Sequence, residues 1–191
     1  KKKPLTISVQ NDGKTIPITF NHKENLHTPE LIFGHLLTSS NFDDAQKKVT
    51  GGRHGYGAKL TNIFSKVFEV EIRDCKRKKL YYQKWEDNMS KVSPPVITDI
   101  AEADLIRDSK PYTRVTFTPD LFPFSTCHTI RKKDKNVMPS DNIATLEDTE
   151  KLLYRRLVDL SVTVHPVQVC YNGKIIKSKS FEDYVKLFLK T

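Results

Sequence analysis

Cysteine is scarce in this chain and scattered: three in 191 residues, Cys75, Cys127 and Cys170. They form no C-x-x-C pair and no histidine stands at metal-ligand spacing from them, which argues against a zinc site and for a reducing, intracellular setting. Long apolar runs are also missing. No stretch approaches the roughly 20 residues that span a bilayer. The basic start Lys1-Lys2-Lys3 leads into an alternating segment and not into the apolar core of a signal peptide. The protein is therefore expected to be soluble, with no membrane partner. Glycine is sparse too, at seven, yet four of the seven lie between Gly51 and Gly57.

What the chain has in excess is positive charge. Thirty-two Lys and Arg stand against 23 Asp and Glu, a formal net charge of +9, which points to a polyanionic partner such as nucleic acid, a nucleotide or an acidic surface. Much of the excess sits in Lys1-Lys2-Lys3, Lys76-Arg77-Lys78-Lys79 and Arg131-Lys132-Lys133, and such runs are equally compatible with solvated turns. The length suits one substantial domain, or one domain and part of a second.

Leu5, Ile7 and Val9 alternate with polar residues as in a strand, one expected to lack its neighbour on one side. Asn11-Asp12-Gly13 is a turn, and Ile16-Pro17-Ile18 resumes an extended path. Thr28-Pro29 reads as an N-cap with proline at the first helical position, opening an apolar helix through Leu31, Ile32, Phe33, Leu36 and Leu37 that should end near Thr38-Ser39-Ser40-Asn41. From Thr38 to Gly57 no apolar period appears. A loop that long inside a domain is commonly a lid or a binding loop.

Behind it, Leu60, Ile63, Phe64 and Val67 fall on one helical face. Phe68, Val70 and Ile72, a basic turn from Asp74 to Lys79, and Leu80 to Trp85 predict a β-hairpin. Pro94-Pro95 and the acidic segment Asp99 to Asp108 read as a surface excursion, and Thr113, Val115 and Phe117 as a further strand closed by Pro119-Asp120. Residues 121–144 read as an exposed loop. Thr145 is placed to cap a helix lined by Leu146, Leu152, Leu153, Leu157, Val158 and Leu160. Val162 to Tyr171 looks strand-like, Asn172-Gly173 is a hairpin turn, and Phe181, Tyr184, Val185 and Phe188 mark a final helix. The change of character near Ser161 suggests a first domain over residues 1–160 and the start of a truncated second over 161–191.

The cluster Thr50-Gly51-Gly52-Arg53-His54-Gly55-Tyr56-Gly57-Ala58-Lys59 runs directly into a helix. Free amides and the positive end of the helix dipole make that junction suited to phosphate, with Arg53 and Lys59 adding charge; a flexible surface loop would also explain the glycines. A P-loop is excluded because Ala58 occupies the position of its lysine. A dinucleotide fingerprint is excluded because its glycines come in the reverse order, G-x-G-x-x-G, within a tight strand-to-helix turn.

Together, Asn11-Asp12-Gly13, Leu36-Leu37-Thr38-Ser39-Ser40-Asn41, Gly52-x-x-Gly55-x-Gly57 and Thr113 resemble the Bergerat-type (GHKL) ATPases. Within them, the wording from Thr50 to Lys59 resembles eukaryotic type IIA DNA topoisomerases, over nearly the whole chain. The resemblance implies an α/β (α+β) two-layer sandwich with a mixed sheet covered by helices on one face, followed by the start of a transducer domain. It implies ATP and Mg²⁺ as cofactors and ATP hydrolysis that drives passage of one DNA duplex through another. It also implies closure of a lid over Phe42 to Gly52, a homodimer formed through the ATPase gate, double-stranded DNA as partner and a nuclear location, an organellar form remaining open.

By the same resemblance Asn11 holds the adenine amino group, with Thr113 in support. Ser39, Ser40 and Asn41 contact ribose and phosphate. Gly52, Arg53, His54, Gly55, Tyr56, Gly57, Ala58 and Lys59 wrap the triphosphate, Tyr56 packing as much as it binds and Lys59 neutralising charge near the γ-phosphate. Two positions depart from the family pattern: Thr15 replaces the last glycine of D-x-G-x-G, and His54 stands where relatives often have Asn and is read as filling space. The family's general-base Glu and Mg²⁺-binding Asn precede the first motif, so no catalytic or metal-binding residue is assigned here, and Glu24 and Glu30 lie on the wrong side of that motif. The isolated stretch is accordingly expected to be inactive alone. Two alternatives are another GHKL ATPase, MutL-like or chaperone-like, and a basic nucleic-acid module using Tyr81, Tyr82 and Trp85 beside Lys76 to Lys79 as stacking platforms.

Overall fold

The computed structural model describes residues 5–36, 55–120, 146–176 and 180–189. The chain divides into two compact units, Lys1–Phe124 and Ser125–Thr191. In chain order the first unit contains β1 (Ile7–Asn11), β2 (Phe20–Asn21), β3 (Leu26–His27), α1 (Thr28–Gly34), α2 (Tyr56–Ile63), β4 (Ser65–Asp74), β5 (Lys79–Glu86), β6 (Lys91–Val92), β7 (Val96–Asp99), α3 (Glu102–Arg107) and β8 (Tyr112–Pro119).

The main sheet runs β1-β8-β4-β5-β6, with β7 also pairing with β5, and every described pairing is antiparallel. Alternation in β4 sets its two faces. Phe68, Val70 and Ile72 are buried while Glu69, Glu71 and Arg73 between them are not, as a period of two requires. The register aligns Phe68 with Trp85 and Phe117, Val70 with Gln83 and Val115, and Ile72 with Tyr81 and Thr113. Phe33 of α1 packs against Phe68, ring centroids 6.1 Å apart, and Phe68 meets Trp85 edge-on at 5.9 Å. These residues form the core with Ile18, Val70, Ile72 and Tyr81, each large apolar side chain contributing about 1.5–3 kcal/mol. The other face is polar. Ser8 pairs with Thr116 at 2.9 Å, and Arg114 bridges Gln10 and Glu71 at 2.9 and 3.0 Å. Helices over an apolar face and a polar ladder on the reverse make the expected two-layer α+β sandwich.

Several expected boundaries shift. Thr28 is the first residue of α1 and not its cap: His27 holds the N-cap position, and the Thr28 hydroxyl pairs with that of Thr19 at 2.8 Å. Helix α1 stops at Gly34, with His35 extended, well short of Thr38. A Cβ on Gly34 would lie 3.2 Å from the buried Trp85 indole nitrogen, so a larger residue here would require Trp85 to shift. Helix α2 begins within the glycine cluster and ends at Ile63; Val67 already belongs to β4. The excursion after Pro95 also contributes a strand, β7, alongside β5.

The second unit contains α4 (Leu146–Thr163), β9 (Cys170–Tyr171), β10 (Lys174–Ile175) and α5 (Phe181–Lys186). The strand expected from Val162 is reduced to two residues because α4 continues through Thr163. There, the hydroxyls of Ser161 and Thr163 donate to the helix carbonyls of Val158 and Asp159 at 2.7 and 3.2 Å, which satisfies groups that disfavour a helix when free. Asn172 and Gly173, with φ of 47° and 75°, form the expected two-residue turn of the β9–β10 hairpin. Ser180 caps α5, accepting from the Asp183 amide at 3.1 Å. Helix α5 is tied to α4 by Tyr184, which donates to Asp159 at 2.9 Å, and by Arg155, which lies 4.4 Å over the Phe188 ring. Among the described residues no helix is long and apolar enough to cross a membrane.

Candidate functional site

The loop–helix junction falls at Gly55. Its backbone is left-handed, φ 67° and ψ 19°, a conformation that glycine adopts without the penalty a Cβ would bring. The chain turns there directly into α2, so Tyr56, Gly57 and Ala58 supply first-turn amides that no helical carbonyl can satisfy. The first turn carries no acidic side chain, and no side-chain cap bond is made at Gly55. A Cβ on Gly57 would meet no atom of the described residues within 4 Å. Tyr56 is 40% exposed.

The buried side of α2 is polar. Lys59 and Asn62 are 1% and 0% exposed, while Leu60, assigned from sequence to the apolar face, is 46% exposed. Burial pushes the Lys59 ammonium below its ordinary value of 10.5, because a charge in a poorly solvated place loses hydration. Asn62 donates through Nδ2 to the Phe33 carbonyl at 3.1 Å. Sequence reading missed Asn62; its position one helical turn after Lys59 was the available signal.

Helix α2 packs against α1, β4 and β8. Strand β8 carries Thr113, on its core side beside Ile72. Thr113 is 7% exposed, and its Oγ1 is buried without a hydrogen-bond partner among the described residues. Across the ladder its register partner is Asn11, which is exposed at the end of β1; a Cβ on Gly13 would lie 3.8 Å from Asn11 Nδ2. Thr15 is half-buried. Gly55, Tyr56, Gly57, Ala58 and Lys59 thus lie on an element that packs against the strand of Thr113, which in turn pairs with Asn11. Ser39, Ser40, Asn41, Gly52, Arg53 and His54 lie outside the described residues, as do Thr145, Cys127, the segment 121–144 and two of the three basic runs.

The described basic run is largely neutralised within the fold. Arg77 pairs with the buried Asp74 at 2.9 Å, Lys78 with Glu102 at 2.8 Å and Lys79 with Asp99 at 2.8 Å. Tyr81 and Trp85 are core residues, 2% and 1% exposed, and the Tyr82 hydroxyl donates to Glu69 at 2.7 Å. The stacking platform expected for a nucleic-acid module is therefore not formed by these aromatics. Among the described residues no cluster of three or more His, Cys, Asp or Glu could hold a metal ion.

A sheet covered by helices on one face, with a glycine junction opening a helix that packs on the sheet and an Asn11–Thr113 pair across its ladder, fits the Bergerat-type ATPase fold. The chain superposes on the ATPase region of topoisomerase II from Saccharomyces cerevisiae with a TM-score of 0.77 and 46% identity, over 96% of this chain and 43% of that one. It superposes on the ATPase and transducer domains of DNA topoisomerase II from Balamuthia mandrillaris with a TM-score of 0.78 and 41% identity, over 95% of this chain and 42% of that one. It is 45% identical over 186 residues to DNA topoisomerase 2 of Saccharomyces cerevisiae, which covers 97% of this chain and 12% of that protein. No protein-family model matches the chain. The chain belongs to the DNA topoisomerase II family and corresponds to part of its ATPase region; it spans about an eighth of the length of that curated relative.

Proposed function

We propose that this chain binds ATP, with adenine at Asn11 and Thr113 and the phosphates on the start of α2. The observation that carries the reading is the Thr113 hydroxyl: buried, without a partner among the described residues, and set by register opposite Asn11. An orphaned buried hydroxyl is costly unless a ligand or water completes it. Around it the chain fits a nucleotide. The first-turn amides of α2 offer donors to phosphate oxygens, and Gly57 leaves room for close approach. Lys59 sits at the same end, where burial disfavours its positive charge and a nearby anion would favour it. Ser39, Ser40, Asn41, Gly52, Arg53 and His54 complete the proposed contacts. Mg²⁺ is proposed to arrive on the triphosphate, since the described residues offer it no donor set.

In the longer protein the same site would support ATP hydrolysis that drives DNA strand passage, with two copies joined through the ATPase gate, in the nucleus. The domain assignment proposed is ATPase over 1–160 and transducer from 161; the stretch alone is proposed to be inactive. Titration of a non-hydrolysable ATP analogue tests the site. Lys59→Ala is expected to weaken binding about 10- to 100-fold, the value of one charge-assisted bond. Unchanged affinity would overturn the assignment.

A further inference from the structure

Among the described residues, three side-chain bonds on the polar face of the sheet tie the β1 segment to β8. Thr6 pairs with Thr118 at 3.2 Å, Ser8 with Thr116 at 2.9 Å, and Gln10 Oε1 accepts from Arg114 Nε at 2.9 Å. The last stands next to the proposed adenine contact, because the register that sets Gln10 opposite Arg114 sets Asn11 opposite Thr113 one residue on. Arg114 also reaches further than the hydroxyls do. Its Nη1 donates to Glu71 of β4 at 3.0 Å, and its guanidinium lies 5.1 Å over the Tyr112 ring. Glu71 in turn precedes Ile72, the β4 partner of Thr113. One guanidinium thus bridges β1, β8 and β4 directly behind the Asn11–Thr113 pair, using the rigid fork that lets arginine serve two acceptors at once.

We propose that Arg114 is a positioning residue for the base of the nucleotide, holding the end of β1 from the reverse face so that Asn11 stays opposite Thr113. The inference rests on the reading of Asn11 and Thr113 as the adenine contact. Asn11 is the last residue of β1 and is exposed, and a strand end opens at little cost. When it opens, Asn11 leaves its partner, and apparent affinity falls with the fraction of molecules still closed. A half-exposed ion pair such as Arg114–Glu71 adds little to global stability. At a strand end that small contribution is enough to change the ratio of closed to open severalfold.

Titration of non-hydrolysable ATP and GTP analogues into the full-length protein, well below its unfolding temperature, tests the role. Arg114→Ala is expected to bind the ATP analogue about three- to fivefold more weakly and to lose its preference for ATP over GTP by the same factor, because the phosphates are held on α2. Gln10→Ala, which keeps the Arg114–Glu71 pair, is expected to do likewise. A general loss of stability would not move the preference between bases. Thr116→Val, which removes the Ser8 bond between the same two strands, is the control and should leave affinity and preference as in wild type. Unchanged preference in either Arg114→Ala or Gln10→Ala, beside a reduced preference in Asn11→Ala, overturns the positioning role, as does an equal reduction in Thr116→Val. Unchanged preference in Asn11→Ala overturns the adenine contact beneath it.

Discussion

At the scale of single residues, Gly57 is where a role in the fold and a role in the proposed phosphate site predict different outcomes. It is helical, and a Cβ there would touch no atom of the described residues, so Gly57→Ala should leave thermal stability unchanged or raise it by up to about 1 kcal/mol. The same methyl would stand where, in the proposed site, a phosphate approaches the first-turn amides. Calorimetric titration should therefore show nucleotide affinity falling about tenfold or more, roughly 1.4 kcal/mol or above, in a protein no less stable. A variant that is destabilised and binds normally would reverse the interpretation. Much of this was legible in the sequence, because the clustered glycines and the lysine behind them form a contiguous pattern. The burial of Lys59 and Asn62 was not. Helical periodicity marked Leu60, Ile63, Phe64 and Val67 as the inward face, yet α2 ends at Ile63 and turns a polar side inward to meet the Phe33 carbonyl.

At the scale of elements, the β4–β5 hairpin is held at its turn by one carboxylate. Asp74 is 1% exposed and accepts from the Arg77 amide at 3.1 Å, the Arg77 guanidinium at 2.9 Å and, more weakly, the Ile18 amide at 3.4 Å. The last bond ties the turn to the segment following Asn11-Asp12-Gly13. Asp74→Ala removes an acceptor and leaves these donors behind, so urea unfolding should show a loss of about 2–4 kcal/mol. A loss under about 1 kcal/mol, the scale of an ordinary hydrogen bond, would mean that the turn is held by its backbone alone. The strands themselves could be read from alternation, since Phe68, Val70, Ile72, Thr113, Val115 and Phe117 all occupy the expected core side. Helix ends were less legible: Gly34 stops α1 beneath Trp85, a contact between residues far apart in the chain. Thr163 stays helical because its hydroxyl finds a carbonyl in the preceding turn.

At the scale of the whole molecule, net charge overstates the attraction of any one surface for DNA. Around the hairpin turn four cations, Lys76, Arg77, Lys78 and Lys79, stand against three carboxylates, Asp74, Asp99 and Glu102. If Lys78 and Lys79 each neutralised a DNA phosphate, replacing both by Gln would flatten the dependence of log affinity on log salt by about 1.8, near 0.9 for each phosphate no longer neutralised. The expected change is well under about half of that value, measured by DNA titration across salt. A shift near the full value would restore the hairpin as a DNA-binding surface.

The pairing of Asn11 with Thr113 also bears on the order of folding. The two residues come from strands near opposite ends of the first unit, and they face each other only when β8 has docked between β1 and β4 in the correct register. A slip of one residue would turn Thr113 to the polar side. Contacts so distant in sequence carry a larger loop-closure cost than a local hairpin such as β4–β5. The adenine end of the proposed site therefore exists only once β8 is in register, and nucleotide bound there would stabilise the finished sheet over any state in which β8 is undocked or slipped.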